Sequence, residues 1–315
     1  MTLWRTTWLS LLILATLVIV PELQAQELTL FTMPPPRSLN WASPWTLAFD
    51  AAVGNRFTFT HIKHKHTFGH VFIELKGPNG ERELTGSTTA PDAPSDSDKV
   101  TKEGYGLGVF WADLKGALET PASLDPQILD RYKSGRIGFI TFKLHPDTYQ
   151  RLARFLREYR ERGYGNIYNG MNLPREGRGA GCSIFGVVFL ELAGLLHPEF
   201  VRDWIISVRV PESLIGGPLT GKKISIKNAI LSRWAKQDEK HRVLSLYDPD
   251  LIFEWILKEW EKGKFDQLHD TSSADRGYLS RKQLVRRQKA LGLTYDVSDI
   301  APPTDPIWQG QAAAK

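Results

Sequence analysis

The chain has 315 residues, of which 42% are hydrophobic and 24% are charged. These proportions are typical of a globular protein and exclude a disordered or collagen-like chain. The length allows one large domain or two smaller ones. The net charge of +5 comes from basic residues that are scattered along the chain, which argues against a nucleic-acid-binding groove.

The first 25 residues have the order of a secretory signal peptide. Arg5 precedes the apolar run LSLLILATLVIV, and a proline and the small residue Ala25 follow this run. The run is too short for a comfortable membrane span, so we predict cleavage after Ala25 and a periplasmic or secreted protein. An uncleaved anchor is the alternative. No later segment could span a bilayer, so we predict no transmembrane span after signal removal.

Alternating and apolar segments predict strands through the next two thirds of the chain. The turn sequence GPNG separates two of them and favours a β-hairpin. The predicted strands are ELTLF, RFTFTHIKH, HVFIELKG, ERELTGS, GVFWADL, RIGFITFKL and DWIISVRVP. A long loop rich in Pro, Ser and Asp follows the hairpin.

Two helices interrupt these strands. The first is amphipathic, with Pro146 and Asp147 in its first turn and Gly163 after its end. The second, CSIFGVVFLELAG, is nearly all apolar and should be buried. After about residue 220 the segments KKISIKNAILSRWAKQ, DPDLIFEWILKEWEKG and SRKQLVRRQKALGL are typical of helices. We therefore predict an α+β domain over 27–215, then a helical extension and mobile tail over 216–315.

Cys182 is the only cysteine of the chain, so it cannot form an internal disulfide. It follows GRGAG and should lie in the first turn of the apolar helix, where the helix dipole and free N–H groups stabilise a thiolate. The same N–H groups can help to bind an oxyanion. An inert core cysteine is the alternative, but this position favours a nucleophile.

A thiol nucleophile needs a base, and His70 is the best candidate. It opens the strand HVFIELK directly after Gly69, and a rigid strand can hold an imidazole against a helix N-terminus. The group that orients the imidazole should come from the neighbouring strand, ERELTG. His241 opens a second possible strand and is a minor alternative base, because a charged, turn-like run precedes it.

The segment GHVFIEL, followed much later by GCSIFGVVFLELAG, resembles the circularly permuted branch of the papain-like thiol hydrolases. That branch includes lecithin retinol acyltransferase-like proteins and bacterial envelope amidases. The resemblance covers residues about 57–195. It implies an antiparallel sheet packed on helices, with Cys182 as nucleophile and His70 as general base and acid. It also implies a third polar residue about a dozen positions after the histidine, for which Glu83 is the best match.

The position of Glu83 in the predicted hairpin is unfavourable. A simple hairpin closed by GPNG would put Glu83 opposite Glu74, and Thr85 and Ser87 would then lie nearer to His70. The assignment of Glu83 therefore requires a bulge or a different strand register.

Several residues near Cys182 are candidates for the oxyanion site or the cleft wall: Cys182 itself through its N–H, Gly181, Tyr168 and Asn169. Many permuted members have an asparagine where this chain has Gly181. Turn formation alone also accounts for the loop YGNIYNGMNLP, which contains Tyr168 and Asn169.

The other histidines of the cluster HIKHKHTFGH are His61, His64 and His66. A zinc site is one interpretation of their spacing. The intervening lysines oppose cation binding, so we predict exposed polar residues at the rim of the cleft and no metal.

These observations predict an exported cysteine hydrolase or acyltransferase that forms an acyl-enzyme and needs no cofactor. Its substrate would be an amide or ester of a cell-envelope polymer, such as a peptidoglycan peptide, or of a lipid. The alternatives are an inactive envelope-binding module of the same fold and a metal-binding protein that uses the histidine cluster.

Overall fold

The computed structural model describes residues 25–57, 62–64, 66–94, 96–225, 228, 232–269 and 291–310. The protein is α+β, with 40% helix and 24% strand. The segment predicted as a signal peptide lies outside the described residues apart from Ala25. No helix among the described residues combines the length and the apolar character needed to cross a membrane.

Ten strands lie within the described ranges. They are β1 (Glu27–Met33), β2 (His70–Lys76), β3 (Arg82–Thr85), β4 (Ser87–Thr89), β5 (Leu114–Leu118), β6 (Gly138–Leu144), β7 (Ile167–Tyr168), β8 (Ile205–Pro211), β9 (His241–Tyr247) and β10 (Leu291–Val297). The main sheet has the order β10-β6-β1-β2-β3, and two smaller sheets are formed by β4-β5-β7 and β8-β9.

Seven α-helices are seen in the same ranges. They are α1 (Pro44–Phe49), α2 (Asp96–Thr101), α3 (Pro121–Ser134), α4 (Pro146–Glu161), α5 (Cys182–Leu192), α6 (Pro198–Trp204) and α7 (Pro249–His269). A π-helical segment, Asp50–Phe57, continues α1.

Helices cover both faces of the main sheet. Val71 and Ile73 of β2 belong to the large core cluster, together with buried residues of α4, α5 and α7. Phe72 points to the opposite face and packs near Leu124 of α3. The strand alternation predicted for β2 therefore separates two cores, one on each side of the sheet.

The apolar helix α5 lies very close to β2. A Cβ atom on Gly186 would lie 2.6 Å from Val71 Cγ1, so only glycine permits this approach. Phe185, Val187, Phe189 and other residues of α5 are buried, as the continuous apolar sequence predicts. This packing sets the N-terminus of α5 beside the start of β2.

The C-terminal part differs from the predicted helical extension. The helix predicted over DPDLIFEWILKEWEKG is present as α7, but β9 and β10 are strands. The other pairs of the main sheet are antiparallel, as predicted, but β10 pairs with β6 in parallel, so the sheet is mixed. The physical reason is that α7 packs across β1 and β6 and returns the chain to the free edge of β6, where Leu291 becomes buried.

Four other predicted segments differ from the prediction or lie partly outside the described residues. The predicted strand RFTFTHIKH begins in the π-helical segment, and its residues 58–61 lie outside the described residues. In GVFWADL, a 3₁₀ helix over Leu107–Trp111 precedes β5. The predicted helix KKISIKNAILSRWAKQ lies partly outside the described residues, and its described stretches 222–225 and 232–236 are irregular. Of SRKQLVRRQKALGL, residues 280–290 lie outside them, and Leu291 starts β10.

Candidate active site

Cys182 is the first residue of α5, as predicted from the glycine-rich sequence before it. Gly181 is the N-cap in an extended conformation and supplies no side-chain cap, so the N–H groups of the first turn keep their hydrogen-bonding capacity. The Gly181 N–H itself donates to the Asn169 carbonyl oxygen at 2.6 Å. The thiol is therefore placed at the positive end of the helix dipole.

His70 is the first residue of β2 and pairs with Met33 of β1. Its side chain is 3% exposed and lies against the Cys182 thiol, so that each group shifts the pKa of the other. The structure thus brings the two principal predicted residues together, although 112 positions separate them (182 − 70).

Glu119 completes the arrangement from the other side of the imidazole. Its Oε2 atom lies 2.5 Å from His70 Nε2, and the residue is 8% exposed. Since Nε2 is engaged by Glu119, Nδ1 is the nitrogen that is left for the thiol. Cys182, His70 and Glu119 therefore lie in the order thiol, imidazole and carboxylate, with a hydrogen bond between the last two.

Two hydrogen bonds fix the position of the Glu119 backbone. Its N–H donates to the Gly86 carbonyl oxygen at 2.8 Å, and its own carbonyl accepts from Thr85 Oγ1 at 2.9 Å. A Cβ atom on Gly86 would lie 2.7 Å from Glu119 Oε2 and 2.8 Å from Phe72 Cβ. The glycine therefore leaves the space in which the carboxylate reaches His70.

Glu83, the predicted third residue, does not contact His70. It pairs with Leu75 rather than with Glu74, which is one position away from the predicted register. Its carboxylate accepts a hydrogen bond from Arg160 Nη1 at 2.8 Å in an exposed ion pair. Glu83 lies opposite Leu75, near the turn end of the hairpin and away from His70 at the other end of β2, so the assignment of Glu83 as the orienting residue is wrong.

Sequence reasoning missed Glu119 because its contact with His70 depends on β4 and β5 pairing far from the histidine in sequence. The local signal is an acidic residue between the strand LKGAL and the capping box of α3, which begins at Thr120. Such a residue is common at the start of helices, so this signal does not single out Glu119.

The electrostatics of the three groups favour an ion pair of thiolate and imidazolium. Burial lowers the pKa of His70, but the Glu119 charge and the interactions of the ring with Cys182 and with the accepting Glu119 carboxylate outweigh burial and raise this pKa to about 10. Burial raises the pKa of Cys182, but the hydrogen bond and charge of His70 lower it below its ordinary value overall. The pKa of Glu119 is also lowered, because the His70 charge and hydrogen bond offset its burial.

A further histidine supports the imidazole. The ring of His66 stacks on that of His70 with centroids 4.3 Å apart and planes 12° apart. Its Nε2 atom lies 2.5 Å from Gln127 Oε1, and Gln127 Nε2 donates to Glu119 Oε1 at 3.3 Å. Burial and the nearby His70 charge lower the pKa of His66 to about 3, so its ring is neutral. His66 is thus part of the site, and the prediction that it is an exposed residue at the rim of the cleft is wrong.

The candidate cleft residues divide into two groups. Tyr168 lies in the wall of a cavity beside Cys182, and its hydroxyl donates to Sγ at 3.8 Å. Gly181 lines the same cavity. Asn169 does not: its side chain is buried and donates to the Trp111 carbonyl oxygen at 3.0 Å and to Asp113 Oδ1 at 2.8 Å. Asn169 therefore holds the loop in shape and is not a wall residue.

The remaining histidines lie elsewhere. His64 is exposed, as predicted, and His61 lies outside the described residues. His241 opens β9 opposite Pro211, and its Nδ1 atom is 2.6 Å from the Glu239 carbonyl oxygen. Within the described part of the chain, no group of three His, Cys, Asp or Glu residues could hold a metal ion.

Comparisons with known proteins assign no family to this chain. No protein-family model matches the chain, and no curated protein or solved structure matches it.

Proposed function

We propose that the protein is a cysteine hydrolase or acyltransferase that cleaves an amide, ester or thioester through an acyl-enzyme. The observation that carries the proposal is the placement of the half-buried Cys182 thiol against the His70 imidazole, whose other side hydrogen-bonds the buried Glu119 carboxylate. A structural cysteine needs neither an imidazole partner nor a carboxylate behind that imidazole. These three residue types in this order supply a nucleophile, a base and an orienting group.

In the first half of the reaction, the Cys182 thiolate attacks the substrate carbonyl carbon and a carbon–sulfur bond forms. The carbonyl electron pair moves onto oxygen, and the Cys182 N–H at the start of α5 stabilises this oxyanion. When the intermediate collapses, the leaving nitrogen, oxygen or sulfur takes the proton from His70 Nδ1. The products are a thioester on Cys182 and a released amine, alcohol or thiol.

In the second half, water or another acceptor enters and gives its proton to His70 Nδ1. Its oxygen attacks the thioester carbonyl, the carbon–sulfur bond breaks, and the thiolate is restored beside an imidazolium. Glu119 accepts a hydrogen bond from His70 Nε2 throughout. It therefore keeps Nδ1 directed at the sulfur and stabilises the charged ring.

The permuted papain-like family and export from the cell are parts of the same proposal. The order of His70 before Cys182 and the close packing of β2 on α5 support the family. The order of charged, apolar and small residues over 1–25 supports export.

The test is a pre-steady-state assay with 4-nitrophenyl acetate, combined with mass spectrometry that locates the acyl adduct. We expect a burst of one nitrophenolate per protein and an acetyl group on Cys182. Cys182→Ala should abolish both. His70→Ala should slow acylation by about 10²–10⁴-fold, the usual contribution of general acid–base catalysis.

His241→Ala is the matched control and should leave the burst unchanged, because His241 contacts its own loop. A burst that survives Cys182→Ala, or that is lost in His241→Ala but not in His70→Ala, contradicts the proposal. Absence of acylation together with an ordinary thiol pKa would instead indicate an inactive binding module.

A further inference from the structure

A large cavity opens beside the candidate nucleophile. Its volume is about 660 Å³, which is within the range of small-molecule and cofactor sites. Cys182, Ser183 and Ile184 of α5 form one wall. Residues of α1 and of the β8-β9 sheet, among them Leu47 and Leu246, form others.

The described walls of this cavity are mostly apolar, with several Ser, Thr and Tyr side chains among them. Among the described residues that line it, Asp248 is the only Asp, Glu, Lys or Arg, and no histidine is present. Asp248 is already engaged: it accepts from Trp41 Nε1 at 3.1 Å and from the Asp250 N–H at 2.8 Å. Burial also raises its pKa to about 6. The described part of the wall therefore offers no cation for the carboxylates of an acidic peptide and no free anion for an ammonium group.

The apolar surface continues from the cavity to the outside of the protein. Trp45 and Phe49 are four positions apart on α1, both line the cavity, and they are 39% and 42% exposed. Leu173, also in the lining, is 48% exposed. Large exposed apolar side chains around a cavity mouth are typical of a site for an apolar ligand.

The positions of Cys182 and His70 decide which part of a substrate the cavity would hold. His70 gives its proton to the leaving group, so the leaving group must lie on the His70 side of the sulfur. Cys182 is among the described residues that line the cavity, whereas His70 is not. The cavity is therefore on the acyl side of the carbonyl.

We propose that this cavity binds the hydrocarbon chain of the acyl group, so that the substrate is an ester, thioester or amide of a fatty acid. This inference rests on the proposed function and names its substrate class. The proposed occupant is an uncharged hydrocarbon chain rather than a peptide, because the described lining residues lack groups that could pair with peptide charges.

The test measures kcat/KM for soluble 4-nitrophenyl esters from acetate to octanoate. Each methylene moved from water into an apolar site can raise kcat/KM by up to about fourfold. We expect octanoate to exceed acetate by at least about fiftyfold, with Cys182 acylated in both cases. A chain of similar length that ends in a carboxylate, the monoester of octanedioic acid, should lose most of this gain.

Ala48 lines the cavity, and Ala48→Trp should reduce the ratio of octanoate to acetate by at least tenfold. Ala42→Trp is the matched control in the neighbouring exposed segment and should leave the ratio unchanged. Binding of sodium decanoate to Cys182→Ala, measured by calorimetry, tests the cavity without catalysis, and we expect binding that Ala48→Trp weakens.

The outcomes separate the two proposals. Acylation of Cys182 at a rate independent of chain length, or equal use of the octanedioic monoester, overturns the acyl-chain assignment and leaves the cysteine hydrolase intact. Absence of decanoate binding to Cys182→Ala also overturns the acyl-chain assignment. Absence of Cys182 acylation by every ester overturns the proposed function itself and the assignment with it.

Discussion

Replacement of Glu119 by glutamine is the sharpest perturbation of the site, because it changes one oxygen to an NH₂ group and little else. Gln127 Nε2 donates to Glu119 Oε1, so the oxygen of the new amide would stay on Gln127. The NH₂ group would then face His70 Nε2, which must become an acceptor. The ring would carry its proton on Nδ1 and could no longer take one from the thiol.

The expected size of the effect of Glu119→Gln on the acylation rate follows from the loss of the Glu119 charge. Two unit charges about 4 Å apart interact by about 4 kcal/mol at an effective dielectric of about 20. A loss of this size corresponds to about a thousandfold in rate. The expected fall in the Cys182 acylation rate is therefore about 10³-fold, within the range of general acid–base catalysis. The elevated pKa of His70, about 10 with Glu119 beside it, should fall towards the ordinary value.

The assay is the burst rate with 4-nitrophenyl acetate, with thermal unfolding to verify that Glu119→Gln is folded. Glu83→Gln is the matched control, since Glu83 forms an exposed pair with Arg160, and it should change the rate less than twofold. A folded Glu119→Gln variant with a wild-type burst rate would refute the reasoning. An equal loss in Glu83→Gln would refute it as well.

Four further predictions concern the same site. The rate of Cys182 alkylation by iodoacetamide should reach half its maximum below pH 8.5, because His70 lowers the thiol pKa, and His70→Ala should move this midpoint upward. Acylation by esters should stay high up to about pH 10 and fall above it, when His70 loses its proton; a fall near pH 7 would contradict this. Tyr168→Phe removes a donor to the sulfur and should reduce acylation two- to tenfold, whereas an unchanged rate would show that the 3.8 Å contact has no effect. Gly86→Ala should displace the Glu119 carboxylate and reduce acylation at least tenfold, and normal activity would mean that the backbone yields without cost.

The positions of Cys182 and His70 were predictable because both depend on local signals. A glycine-rich segment before an apolar run predicts the start of a helix, and a helix start favours a thiolate. His70 follows a glycine and precedes alternating apolar residues, which predicts the start of a strand. Both residues lie where these signals put them, at the first position of α5 and of β2.

The third residue was not predictable in this way. The hairpin argument gave the right partner strand for β2 but a register one residue off, and it placed the orienting group on β3. Glu119 reaches His70 from the end of β5, through the space left by Gly86. The sequence near Glu119 contains no signal that the end of β5 lies beside β2.

The amino-acid sequence by itself determined which groups were available for the chemistry and the kind of element that carries each, because helix starts and strand starts depend on neighbouring residues. Tertiary structure alone decided which carboxylate faces His70, that His66 stacks on it, and that β10 closes the sheet beside β6. It also decided that α1, α5 and the β8-β9 sheet enclose an apolar cavity at the thiol. These features arise from contacts between segments far apart in sequence, where packing and burial outweigh local preference.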